Sequence, residues 1–134
     1  MRNPHDDLTP QRSSEIIIAH VRNGLDIARK NRIPLPIQRI IMEHHGNQTQ
    51  AYFFDKACRL AAERGEPQPS ESDFCYPWPV PTGPESAIVM MADSCEAAMK
   101  SNQVDNLQDA ETLIRRIIKK KINTDQLVES GLSL

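Results

Sequence analysis

Four side chains stand where their chemistry is out of place. His20 lies inside EIIIAHV, His44 and His45 close the run IIMEHHG, and Asp93 lies inside AIVMMADSCEAAM. Imidazoles and a carboxylate set among apolar residues are costly to bury without partners. A divalent ion satisfies all of them, because it takes neutral imidazole nitrogens and balances carboxylate charge. Each residue also has a plainer reading: a histidine hydrogen-bonded in the core, or an aspartate bonded to a backbone N–H. Adjacent histidines on a helix point about 100° apart, because a turn takes about 3.6 residues. Both reach one ion only where the helix is ending, and Gly46 suits a left-handed exit at that point. Alternatively one ring binds the ion and the other meets substrate or supports a ligand.

The elements that must position these residues follow from hydrophobic spacing. Ser13 or Ser14 can cap a helix running to about Asn31, with Ile17, Val21, Leu25 and Ala28 on one face. Pro34 and Pro36 stop it and start a short helix from Ile37 to His45. A third helix is predicted from about Thr49 to Arg64, ended by Gly65, with Phe53, Ala57, Leu60 and Ala61 as its apolar stripe. Further helices are predicted from about Ser86 to Lys100 and from about Leu107 to Ile122, with a last turn near Thr124 to Ser130. Strand signals are poor throughout and no internal repeat is present, so the fold class is all-α, with five to six helices.

Between Gly65 and Ser86 runs EPQPSESDFCYPWPVPTGPE, with six prolines and with Phe74, Tyr76 and Trp78. Long loops in compact domains are often lids or walls of sites. The simpler reading is an extended segment laid over the helices and anchored by its aromatic residues.

At 134 residues the chain fits one domain with a modest core, and its net charge of −2 gives no general attraction to nucleic acid or an anionic membrane. Arg115, Arg116, Lys119, Lys120 and Lys121 form a basic run. Isoleucines recur between them at helical spacing, so the run reads as the solvated face of an amphipathic helix. Three scattered cysteines, Cys58, Cys75 and Cys95, offer neither a disulfide framework nor a zinc knuckle and suit a reducing compartment. No secretory leader follows Met1, and no apolar run approaches the ~20 residues that span a bilayer.

In combination and order, SSEIIIAHVRNGLDIARKNRIPLP, IIMEHHG, DFCYPWPVP and ESAIVMMADSCEAA resemble the HD-domain phosphohydrolases. Within them the likeness is greatest to the seven-transmembrane enzymes of the PgpH type, whose cytoplasmic HD domain hydrolyses cyclic di-AMP. It covers nearly the whole chain. The resemblance implies an HD-domain-like helical bundle and two divalent ions, iron or manganese. His20, His44 and His45 would ligate one ion and Asp93 the other. Glu96, one turn from Asp93, would support a ligand from behind. His5-Asp6 reads as an HD pair but sits in a polar context, flanked by Asn3-Pro4 and Asp7, and matches a stretch that follows the metal-binding pair in the family. The expectation is therefore a partial HD domain over residues 1–134. The HD-motif helices would lie upstream, and the chain alone would bind one ion or none and be inactive. One departure from the family is Tyr76-Pro77-Trp78-Pro79-Val80-Pro81 where relatives tend to read YPGPKP. That change bears on substrate handling. Trp78 either stacks on a base or packs against the domain.

Two functions follow. The first is a fragment of a metal-dependent phosphodiesterase acting on a cyclic dinucleotide, as the cytoplasmic domain of an inner-membrane protein. This fragment would touch neither nucleic acid nor membrane, and it could form a homodimer through exposed core surface. The second is a non-catalytic helical module kept for dimerisation or regulation.

Overall fold

Thr9 opens the first long helix, accepting a hydrogen bond from the Arg12 N–H at 3.2 Å, and Pro10 occupies its first turn. The helix thus starts earlier than Ser13 or Ser14 predict, because a threonine cap followed by proline is itself a strong start. Both serines lie inside the helix and are buried. The computed structural model describes residues 4–133, apart from the side chains of Pro4 and Asp6.

Five α-helices follow in order: α1 Pro10–Lys30, α2 Leu35–Glu43, α3 Ala51–Arg64, α4 Pro84–Ser101 and α5 Leu107–Asn123. Short 3-10 helices span Pro4–Asp7, where the sequence reads as loop, and Glu71–Phe74. Among the described residues, one isolated antiparallel bridge between Thr49 and Cys75 is the extent of β-structure. The all-α expectation holds, and no helix of the described residues is long and apolar enough to cross a membrane.

α1 packs against both α2 and α3, α2 against α4, and α4 against α5. The predicted stripe on α1 buries Val21, Leu25 and Ala28, which meet a core that includes Ala57 and Ala61 of α3. Ala87 and Met90 of α4 cluster with Leu127 from the turn after α5. α3 ends at Gly65 in a left-handed cap with φ +65°, which glycine adopts without penalty.

The segment between α3 and α4 is laid over the helices. Phe74, Tyr76 and Pro81 are buried, and the 3-10 turn touches α1 and α3. Trp78 is half-buried, so the structure favours packing for it over an exposed stacking platform. At the far end of this segment Thr82 gives both its N–H and its hydroxyl to the carboxylate of Glu43, at 3.0 and 2.7 Å. Glu43 is only 2% exposed, and these charge-assisted bonds offset its desolvation.

Candidate metal centre

α2 stops one residue before the paired histidines. His44 caps it with near-helical φ −65° and ψ −14°, giving its N–H to the Ile40 carbonyl at 3.0 Å. The Gly46 N–H then bonds the Glu43 carbonyl at 2.9 Å, and Gly46 turns the chain at φ +56°. Glycine takes this left-handed φ without strain, and a Cβ here would also displace the side-chain ends of Gln126 and Met90. The helix end removes the 100° divergence between the two rings. Their centroids lie 4.0 Å apart, and both face His20 on α1, at 5.8 Å for His44 and 4.9 Å for His45.

Each ring is oriented by a second contact. His20 Nδ1 bonds the Ile17 carbonyl and His44 Nδ1 the Ile41 carbonyl, the latter at 2.7 Å. A carbonyl accepts only, so both Nδ1 atoms carry the proton and both Nε2 atoms present lone pairs. His45 Nε2 lies 3.0 Å from His20 Nε2 and, in neutral rings, donates to it. On the other edge of that ring, Asp93 Oδ2 lies 3.8 Å from Nδ1. Moving the His45 proton to Nδ1, towards this carboxylate, frees a third lone pair. The phenol ring of Tyr76 stacks on His45, with centroids 4.5 Å apart and planes 9° from parallel.

The donor set fits a borderline or transition-metal ion. One ligand atom from each of His20, His44 and His45 falls within 4.8 Å of the others, and imidazole suits zinc, iron and related ions. Burial, then the neighbouring His44, His20 and Lys121, push the His45 imidazolium down to about 3, so this ring is neutral at physiological pH, the form that ligates.

Asp93 differs from the sequence expectation of a buried carboxylate. It lies on α4, 47% exposed, beside His45 but outside the three-histidine group. Helix α4 turns this side outward while Met90 and Ala87 take the core. Glu96 pairs instead with Lys100 on the exposed face, a bond within its own helix. His5 packs against Phe53, with centroids 5.9 Å apart, and does not join the cluster. The side chain of Asp6 lies outside the described residues.

Three contributors escape sequence reasoning. Lys121 closes the basic run but is 6% exposed rather than solvated, and its ammonium bonds Gln48 Oε1. Burial and Lys120 lower it to about 8, against the opposing pull of Asp93 and Cys95. Gln48 in turn donates to the His45 carbonyl at 3.0 Å. Tyr76 is pushed up to about 12 by burial and by Asp93, so it stays a neutral phenol. A signal for Lys121 existed, since Leu113, Ile117 and Lys121 share one helical face. Tyr76 reads in the sequence only as an aromatic anchor of the proline-rich segment; its place on His45 and that of Gln48 behind it arise from long-range packing. Clefts of about 440 and 370 Å³ open elsewhere, and neither is lined by the histidines or Asp93.

Residues 1–98 match the HD domain family. An uncharacterized protein of Synechocystis sp. is 40% identical over 131 residues, 97% of this chain and 16% of that protein. The cyclic-di-AMP phosphodiesterase PgpH of Bacillus subtilis is 39% identical over 131 residues, 98% of this chain and 18% of its own length. The crystal structure of the L. monocytogenes phosphodiesterase PgpH HD domain in complex with cyclic-di-AMP superposes with a TM-score of 0.87 at 35% identity. That match covers 98% of this chain and 60% of the crystallised one. The chain thus spans less than a fifth of the curated relatives it matches. The family match covers residues 1–98, well over half of the sequence, so the chain belongs to the HD domain family.

Proposed function

We propose that this chain is part of a metal-dependent phosphodiesterase that hydrolyses a cyclic dinucleotide, cyclic di-AMP, and that it supplies the three-histidine side of the metal centre. The observation that carries the reading is the convergence of His20, His44 and His45, with two Nδ1 atoms occupied by carbonyls and their Nε2 lone pairs left for a ligand. The names of the relatives supply the substrate class. When bound, a divalent ion such as iron or manganese supplies charge neutralisation and an activated water for attack on phosphorus.

On this reading His20, His44 and His45 hold one ion. Asp93 either holds a second ion or accepts a hydrogen bond from the His45 Nδ1–H, and its position beside Nδ1 suits both. Tyr76, a neutral phenol, fixes the plane of the His45 ring and keeps water from that face. The domain works on the cytoplasmic side of an inner-membrane protein. Exposed apolar side chains, Ile27, Leu35, Tyr52 and Leu107 among them, favour self-association.

Two-metal hydrolysis needs both ions held about 3.5–4 Å apart, and a carboxylate ligating both would set that spacing. Among the described residues Asp93 is the carboxylate placed beside the cluster, so turnover by these 134 residues alone is expected to be poor even with Mn²⁺. The test measures conversion of cyclic di-AMP to the linear dinucleotide by a longer chain in which this segment follows a His-Asp pair. Turnover there, lost on His44→Ala, supports the reading. Robust turnover by the 134-residue chain, lost on His5→Ala, would show that His5-Asp6 is the working pair. A longer chain that binds Mn²⁺ yet leaves cyclic di-AMP intact points to the non-catalytic module instead.

A further inference from the structure

The stretch that matches the HD family ends at residue 98, before α5 begins. Two side chains from beyond that limit nevertheless reach back 73 and 79 residues to the histidine turn. Lys121 gives its ammonium to Gln48 Oε1, and Gln48 Nε2 donates to the His45 carbonyl at 3.0 Å. The Gln48 carbonyl accepts the Tyr76 N–H at 3.0 Å, and Tyr76 stacks on His45. Gln126, 2% exposed, donates to Asn47 Oδ1 at 2.7 Å and to the Thr124 carbonyl at 2.9 Å, and its Oε1 lies against Gly46. Were α5 needed for packing alone, an aliphatic residue at 121 would fill the same space without the cost of a buried cation. The ammonium and the carboxamide are instead spent on consecutive residues, 48 and 47, directly after the histidines.

We infer that Lys121 and Gln126 are positioning residues for the histidine cluster. α5 and the turn behind it hold residues 44–48 in the conformation that turns His44 and His45 towards His20. The inference rests on the metal reading above for its functional consequence, but its structural part stands independently. An HD domain without these elements would keep the ligands and lose their alignment.

The experiment uses the whole 134-residue chain with Co²⁺ as the probe. Lys121→Met is expected to weaken Co²⁺ binding about tenfold, as loss of a group behind a ligand does, and to alter the visible ligand-field bands while helical circular dichroism is kept. Lys121→Arg, which keeps a cationic donor, recovers most of the affinity. Lys119→Met, at an exposed position of the same helix, changes nothing. In the metal-free chain, amide hydrogen exchange at Gly46 and Tyr76 quickens in Lys121→Met while α1 and α3 keep their protection. Should Lys121→Met fail to fold, Gln48→Leu cuts the same link from the half-buried side. Wild-type Co²⁺ affinity, spectrum and exchange in the variant that cuts this link overturn the inference. Should the unaltered chain take up no Co²⁺, the exchange measurement decides alone, and unchanged exchange at Gly46 and Tyr76 in the variant overturns the positioning claim.

Discussion

The two walls of the candidate centre are built to different standards. On the histidine wall each ring has a second anchor: carbonyls for His20 and His44, a stacked phenol for His45. On the aspartate wall, Asp93 stands 47% exposed and touches His45 at 3.8 Å. His20 is exposed as Asp93 is, but its ring is tethered to the Ile17 carbonyl. Ligands held in this way have already given up rotamer entropy that binding would otherwise cost, whereas the Asp93 carboxylate still has it to lose. The contrast identifies where these residues can grip an ion without help, and where they need a further partner to finish the site.

The sharpest way to break the contrast is to remove one group from each wall. His44→Ala is expected to lower Mn²⁺ or Co²⁺ affinity of the chain by about a hundredfold, and Asp93→Asn by no more than about tenfold. Isothermal titration of the two variants reads the difference directly. Equal losses would mean that both walls are equally prepared and that Asp93 is a full ligand in this chain.

The next effect concerns what stands behind the histidine wall. Glu43→Ala removes a buried carboxylate with two charge-assisted bonds and is expected to cost about 2–3 kcal/mol in urea unfolding. It should also loosen the adjoining His44. A cost below about 0.5 kcal/mol would show that Thr82 and water replace the carboxylate freely.

The smallest expected effect is on pH dependence. His45 titrates near 3 when folded and near the ordinary 6.5 when unfolded, so the unfolded chain binds the extra proton between these values. The stabilisation is complete above pH 6.5 and is lost as pH falls towards 3. Between pH 7 and pH 4, Tm of the metal-free chain should fall by roughly 5 °C more than Tm of His45→Gln. Equal falls would mean that the ring is less secluded than its stacking implies.

The parts of this molecule that local rules govern were legible beforehand. The stripe through Val21, Leu25 and Ala28, the stop at Gly65 and the left-handed turn at Gly46 are written in short-range spacing. The start of α1 was misplaced because Ser13 and Ser14 are good caps, yet Thr9-Pro10 precedes them and wins. Lys121 was hidden by composition, since three consecutive lysines look like surface. Only the helical face shared with Leu113 and Ile117 told otherwise. Glu43, Gln48 and Tyr76 depend on partners that their sequence neighbours do not reveal. Asp93 stands out by its apolar neighbours and gains an ion by resemblance, but its exposure depends on how α4 rolls against α2 and α5, which periodicity alone does not determine.

The bond between Glu43 and Thr82 closes a ring in the chain. Inside that ring lie the histidine turn, α3 and most of the proline-rich segment. Hydrogen bonds, unlike a covalent bridge, let such a ring open and reclose as one cooperative unit. Whatever grips His44 and His45 therefore also favours the closed ring by mass action. Protection from proteases would then extend to residues 66–81, which hold none of the three histidines, and that distant segment would report occupancy of the centre.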